Sequence, residues 1–168
     1  MRTMKSSLTE PTTASALRSS SLLAFDFEAW RVGVLRCLII TSGMLVSYWV
    51  LWFADRGIVA SDHTAEYIGF EQSFPLADAW LLAALLAAAI QLWRRRPSTL
   101  MWVFAVGGAG VYLAALDVLY DLQHGIYTRP QGGAIELAIN IVTALSSVSI
   151  MTFGWRFRHR LLGTSTDS

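Results

Sequence analysis

Four apolar runs constrain this chain more than anything else in it, because each has roughly the 20 residues a helix needs to cross a bilayer core of about 30 Å. They fall at residues 32–54, 74–93, 99–120 and 134–154, with short polar stretches between them. Only 15% of the 168 residues are charged and 54% are hydrophobic, where soluble domains carry about 25% charged residues. The expected fold is therefore all-α: a polytopic membrane protein whose single domain, residues 32–156, is a four-transmembrane-helix bundle.

The flanks read differently. Residues 1–20 are rich in Ser and Thr and lack the apolar core of a signal peptide, so they are expected to form a disordered cytoplasmic tail. Residues 21–31, SLLAFDFEAWR, mix apolar and charged side chains and suit either a short interfacial segment before the first span or the frayed start of that span. Residues 157–168 form a second cytoplasmic tail. Ser73 and Pro75 are placed to start the second span, as its cap and its first-turn residue. Arg36 lies one turn inside the first span and is expected to snorkel to the nearby interface.

Counting Lys and Arg orients the bundle. With both termini inside (N-in/C-in), eleven basic residues lie on the cytoplasmic side, including Arg94, Arg95, Arg96, Arg156, Arg158 and Arg160. Only Arg56 and Arg129 lie outside. That asymmetry follows the positive-inside rule and fits an even number of spans.

The third span then becomes informative. Gly107, Gly110, Ala114, Asp117, Asp121 and His124 recur at spacings of three and four, so they share one helical stripe. Its lower half is small enough for a close helix contact. Its upper half carries two carboxylates and an imidazole near the negative end of the helix dipole, where acids are disfavoured. The fourth span carries a second such stripe: Glu136, Asn140, Thr143, Ser147 and Gly154. Together with Asp78 at the start of the second span, these acids gather in the outer third of the bundle, with Glu71 just above. Ionisable groups at membrane depth usually line a cavity, pair with one another or serve a pathway.

Three readings of these acids stand side by side. Asp117, Asp121 and His124 form a candidate divalent-metal stripe, with Glu136 or Asp78 completing the shell. Alternatively, Asp78, Asp117, Asp121, Glu136 and Asn140 line a polar pocket for protons or a small cationic ligand. The third reading is a hydrated rim, in which Asp78 and Glu136 only complement helix N-termini.

Other chemistry is sparse. No GxSxG, HExxH or phosphate-binding loop occurs, and Gly107-Gly108-Ala109-Gly110 lies mid-span with no preceding strand. Cys37, the one cysteine, rules out an intrachain disulfide and any CxxC motif, and reads as a small buried hydrophobe. A net charge of +1 with no basic, aromatic-interleaved stripe argues against nucleic acid as a partner.

The segments YIGFEQSFPLADAW and LDVLYDLQHGIY resemble those of small four-span bacterial membrane proteins of unassigned function. The resemblance implies the bacterial inner membrane and carries no catalytic residue across. The leading expectation is a non-catalytic membrane protein that binds a cation or small polar ligand at its outer face. Its partners would be the lipid bilayer, a second copy of itself or another membrane subunit. A membrane-embedded metal enzyme and a structural accessory subunit are the alternatives.

Overall fold

The computed structural model describes the backbone of residues 13–60, 62–130 and 132–163, and within these the side chains from Asp26 onward. Of the expected tails at 1–20 and 157–168, residues 1–12 and 164–168 lie outside the described residues, while 13–20 and 158–162 are helical. Six helices follow one another: α1 (Thr13–Ala54), α2 (Ala65–Glu71), α3 (Pro75–Trp93), α4 (Thr99–Gln123), α5 (Gly133–Arg156) and α6 (Arg158–Leu162). No strand occurs among the described residues. Four of the helices are long and apolar enough to cross a membrane.

The interfacial segment is not a separate element. Residues 21–31, and 13–20 before them, belong to α1 itself. After Pro11 this stretch holds no Pro or Gly until Gly33, so a nucleated helix extends through it at one new hydrogen bond per residue. The loop at 55–73 is also more ordered than a bare connection. Asp55 caps a short 3-10 turn by accepting from the Gly57 N–H at 3.0 Å. Thr64 then caps α2 through the Tyr67 N–H. Pro75 does occupy the first turn of α3, but the residue before it is Phe74, with no side-chain cap. Ser73 instead donates to the Phe70 carbonyl at 2.6 Å.

The helices stand side by side as α1, α3, α4 and α5, with the most extensive contact between α4 and α5. Glycine makes that contact possible. A Cβ on Gly107 would collide with Met151 and lie 3.0 Å from the Ser147 carbonyl oxygen; one on Gly110 would collide with the Ser147 hydroxyl. Both small-residue stripes thus face each other, as close helix approach requires. Leu38, Leu85, Leu92, Val103 and Phe153 fill the main core. A smaller cluster of Trp52, Tyr67 and Ile126 closes one end.

Outward faces are apolar as well. Met44 and Phe53 on α1 are 62% and 72% exposed, and Ile139, Val142, Leu145 and Val148 line an open face of α5. Helices α1 and α5 touch sparsely. The cleft between them, about 420 Å³, includes Trp30, Gly33, Val34 and Cys37 in its lining. Cys37 is therefore half-buried at a cleft rather than sealed in the core.

Candidate functional site

The carboxylates of α2, α3, α4 and α5 meet at the end of the bundle that the Trp52 cluster closes. Asp78 sits in the first turn of α3, where the helix dipole favours an acid. Its Oδ2 accepts from the Trp49 indole N–H at 2.9 Å. Glu71 ends α2, and its Oε2 accepts from the Tyr48 hydroxyl at 2.7 Å. Both donors come from α1, so that helix supplies the polar contacts that seat α2 and α3 there.

Asp121 is 5% exposed and Asn140 only 2%. The Asn140 amide donates to Asp121 Oδ2 and to the Tyr127 hydroxyl oxygen, each at 2.9 Å. One buried amide thus links α4, the turn after it, and α5. Buried polar groups normally find such partners, because an unmatched one costs its full desolvation energy.

Asp117 lies one turn deeper on α4. It is half-buried and receives no hydrogen bond from the described residues, yet lies within electrostatic reach of Glu71, Asp121, Glu136 and Asp78. Glu136, in the first turn of α5, is likewise half-buried. All five residues proposed as a pocket lining, Asp78, Asp117, Asp121, Glu136 and Asn140, are therefore brought together, and Glu71 joins them.

His124 does not join them. Helix α4 ends at Gln123, and His124 is its C-cap. Its Nδ1 lies 2.8 Å from the Tyr120 carbonyl oxygen and its Nε2 lies 3.1 Å from Glu66 Oε1. Both partners are oxygens, so each contact is a hydrogen bond only when the ring nitrogen facing it carries a proton. The hydrogen bond to the Tyr120 carbonyl and the Glu66 carboxylate raise the His124 pKa above 6.5. The Asp117, Asp121, His124 stripe is thus not gathered into a donor set. Among the described residues no three His, Cys, Asp or Glu side chains are arranged to hold a metal ion.

The connecting segments close over this end. Arg129 pairs with Asp62 and holds its carboxyl down at about 2. Tyr67 is buried, and Phe70 stacks on Tyr120 with ring centroids 3.8 Å apart. Tyr120 stacks in turn on His124 at 3.9 Å. Tyr112, on the same helix, is 65% exposed and takes no part. Tyr48 and Trp49, which donate to the acids, and Tyr127, which accepts from Asn140, gave no signal in the sequence, since aromatic residues near a span end ordinarily read as interface anchors. No protein-family model, curated protein or solved structure matches the chain.

Proposed function

We propose that this is a four-span membrane protein of the bacterial inner membrane, with both termini cytoplasmic, that binds a cation or small cationic ligand at its acidic outer end. The observation that carries the reading is a mismatch of charge. Glu71, Asp78, Asp117, Asp121 and Glu136 converge from four helices, and the hydrogen bonds to Glu71, Asp78 and Asp121 come from neutral groups: Tyr48, Trp49 and Asn140. Crowded carboxylates in a poorly solvated site require a proton or a cation to relieve their repulsion. Neutral donors leave the charge of these acids in place, which suits a monovalent or organic cation.

Membrane residence is supported by the exposed apolar faces of α1 and α5, which exceed what a soluble monomer carries. The concentration of arginine at the opposite end supports the orientation. Gly33 and Gly43 have nothing within 4 Å of a notional Cβ, which leaves small-residue surface on α1 for a second copy or another membrane subunit.

Trp49 provides a built-in reporter, because its indole donates directly to Asp78. The detergent-purified protein would be titrated with Na⁺, K⁺, tetramethylammonium and Mn²⁺ while indole fluorescence is followed. A saturable change with a monovalent or organic cation, abolished in Asp117→Asn and Asp78→Asn, is expected. A flat response to every cation, or an unchanged response in both variants, would remove the basis for this reading.

A further inference from the structure

Helix α2 is the most lightly held element at the acidic end. Its seven residues pack extensively along none of the four long helices. Side chains hold it instead. Tyr67, Phe70 and Glu71, at spacings of three and four, share the inward face, while Ala65, Glu66 and Gly69 are exposed. Tyr67 packs with Trp52 and Ile126, Phe70 stacks on Tyr120, and Glu71 accepts from the Tyr48 hydroxyl. Segments attached by so few contacts are those that open locally while the rest of a fold stays intact.

This light element carries part of the site. Glu71 is the last residue of α2 and lies within electrostatic reach of Asp117. The other four acids stand on α3, α4 and α5, which pack against one another along their lengths. Any displacement of α2 therefore withdraws one carboxylate from the cluster and leaves the other four in place.

A single ion pair ties the outer face of α2 to the bundle: Glu66 Oε1 lies 3.1 Å from His124 Nε2 at the end of α4. His124 Nδ1 lies 2.8 Å from the Tyr120 carbonyl oxygen. Both contacts hold together only in the imidazolium. A neutral ring keeps one proton, and the shorter, less exposed contact within α4 retains it, which leaves a bare Nε2 facing a carboxylate. The Tyr120 carbonyl and Glu66 favour the charged ring; Arg129, from the turn after α4, opposes it but is itself paired with Asp62.

We propose that α2 is a lid over the acidic site and that the Glu66–His124 pair is its latch. This rests on the reading of that end as a cation site. With the latch closed, α2 covers the carboxylates and adds Glu71 to them, so a bound cation is enclosed by five acids. With the latch open, the ligand has a way out and one acid fewer to hold it. Histidine makes the latch responsive in the range where its charge changes. The pair is complete below about pH 6.5 and is lost as pH rises through the folded-state value of His124. Competition by protons would act in the opposite sense, since it weakens cation binding on the acid side.

Access to the site can be read without a bound ligand. Asp117→Cys would be introduced into the full chain with Cys37→Ser, and its labelling by a trimethylammonium methanethiosulfonate, a cationic thiol reagent, followed in detergent. The same chain carrying His124→Gln or Glu66→Gln is compared at each pH, so that thiol ionisation cancels. At about pH 5.5 both latch variants should label about threefold faster, as loss of an exposed ion pair allows. At about pH 8 all three chains should label alike. Labelling of Cys37 in the chain without the other cysteine substitutions should not change with either latch variant, because it lies in the α1–α5 cleft. Equal rates in all three chains at about pH 5.5, or a difference that persists at about pH 8, overturns the proposal. So does faster labelling of Cys37, which would mean a loosened bundle rather than an opened lid. Because the reagent needs no occupied site, failure of every cation to bind would end the cation reading without deciding this test.

Discussion

The two ends of the bundle handle charge in opposite ways. At one end arginines sit at the surface beside acids: Arg156 with Asp26, and Arg31 and Arg95 with Glu28. All of those groups but Arg31 remain substantially exposed, so water shares the work of solvating them. At the other end carboxylates are drawn inside, and Glu71, Asp78 and Asp121 are met by a phenol, an indole and an amide. Neutral donors satisfy the oxygens without cancelling the charge. The first arrangement is tolerant of change, because an exposed pair is worth little. The second is specific, because α1 and α5 supply the donors and α2, α3 and α4 the acids they meet.

Asn140 is where that contrast breaks most sharply. Asn140→Leu removes the amide that serves both Asp121 and Tyr127, leaving a buried carboxylate oxygen without its donor. A destabilisation of about 2 kcal/mol is expected, read as a lower midpoint in detergent unfolding. An unchanged midpoint would mean that the amide is not what holds α4 and α5 together at this depth.

Neutralising single charges should then give opposite signs at the two ends. Asp117 has no hydrogen bond to lose and four carboxylates within reach. Asp117→Asn is expected to stabilise by about 1 kcal/mol, the size of one close like-charge repulsion even under water-like screening. Glu28→Gln deprives Arg31 and Arg95 of their shared partner and should destabilise by at most about 1 kcal/mol. The same unfolding assay checks both. Two changes of the same sign would show that the acidic cluster is not under electrostatic tension.

Much of this was legible beforehand. The expected limits 74–93 and 99–120 differ from α3 and α4 by at most three residues, because long apolar periodicity leaves a helix few alternatives. The facing stripes were legible too: Gly107, Gly110, Ala114 and Asp121 on α4 are buried, as are Asn140, Ser147 and Gly154 on α5. Spacing shows which residues share a face. It does not show how far neighbouring helices are rotated or tilted, and that decides which donor meets which acid. Tyr48 and Trp49 were missed for this reason, and α2 because seven residues are too few for a periodic signal. His124 was placed on the metal stripe by extending helical spacing one residue past the point where the helix ends.

The smallest effect concerns the closure over the acidic end, which two ion pairs hold with different pH limits. His124 donates to Glu66 and to the Tyr120 carbonyl, also feels Arg129, and its pKa is raised above 6.5. A raised pKa means that its contribution is complete below about pH 6.5 and is lost as pH rises through the folded-state value. Asp62, held by Arg129 at about 2 against an ordinary 3.8, behaves in reverse. Its contribution is complete above about pH 4 and fails only as pH falls toward the lower value. Between those limits both ties hold. Mild alkalinity should therefore loosen α2 at its Glu66 contact while the Asp62–Arg129 pair persists. Amide hydrogen exchange over residues 62–71, at about pH 5.5 and about pH 8 and corrected for intrinsic rates, should show less protection at the higher value. His124→Gln should flatten that difference and leave the exchange of α4 unchanged. Equal protection at both pH values in the parent protein would mean that α2 is held by the packing of Tyr67 and Phe70 alone, and that the imidazolium adds nothing measurable to it.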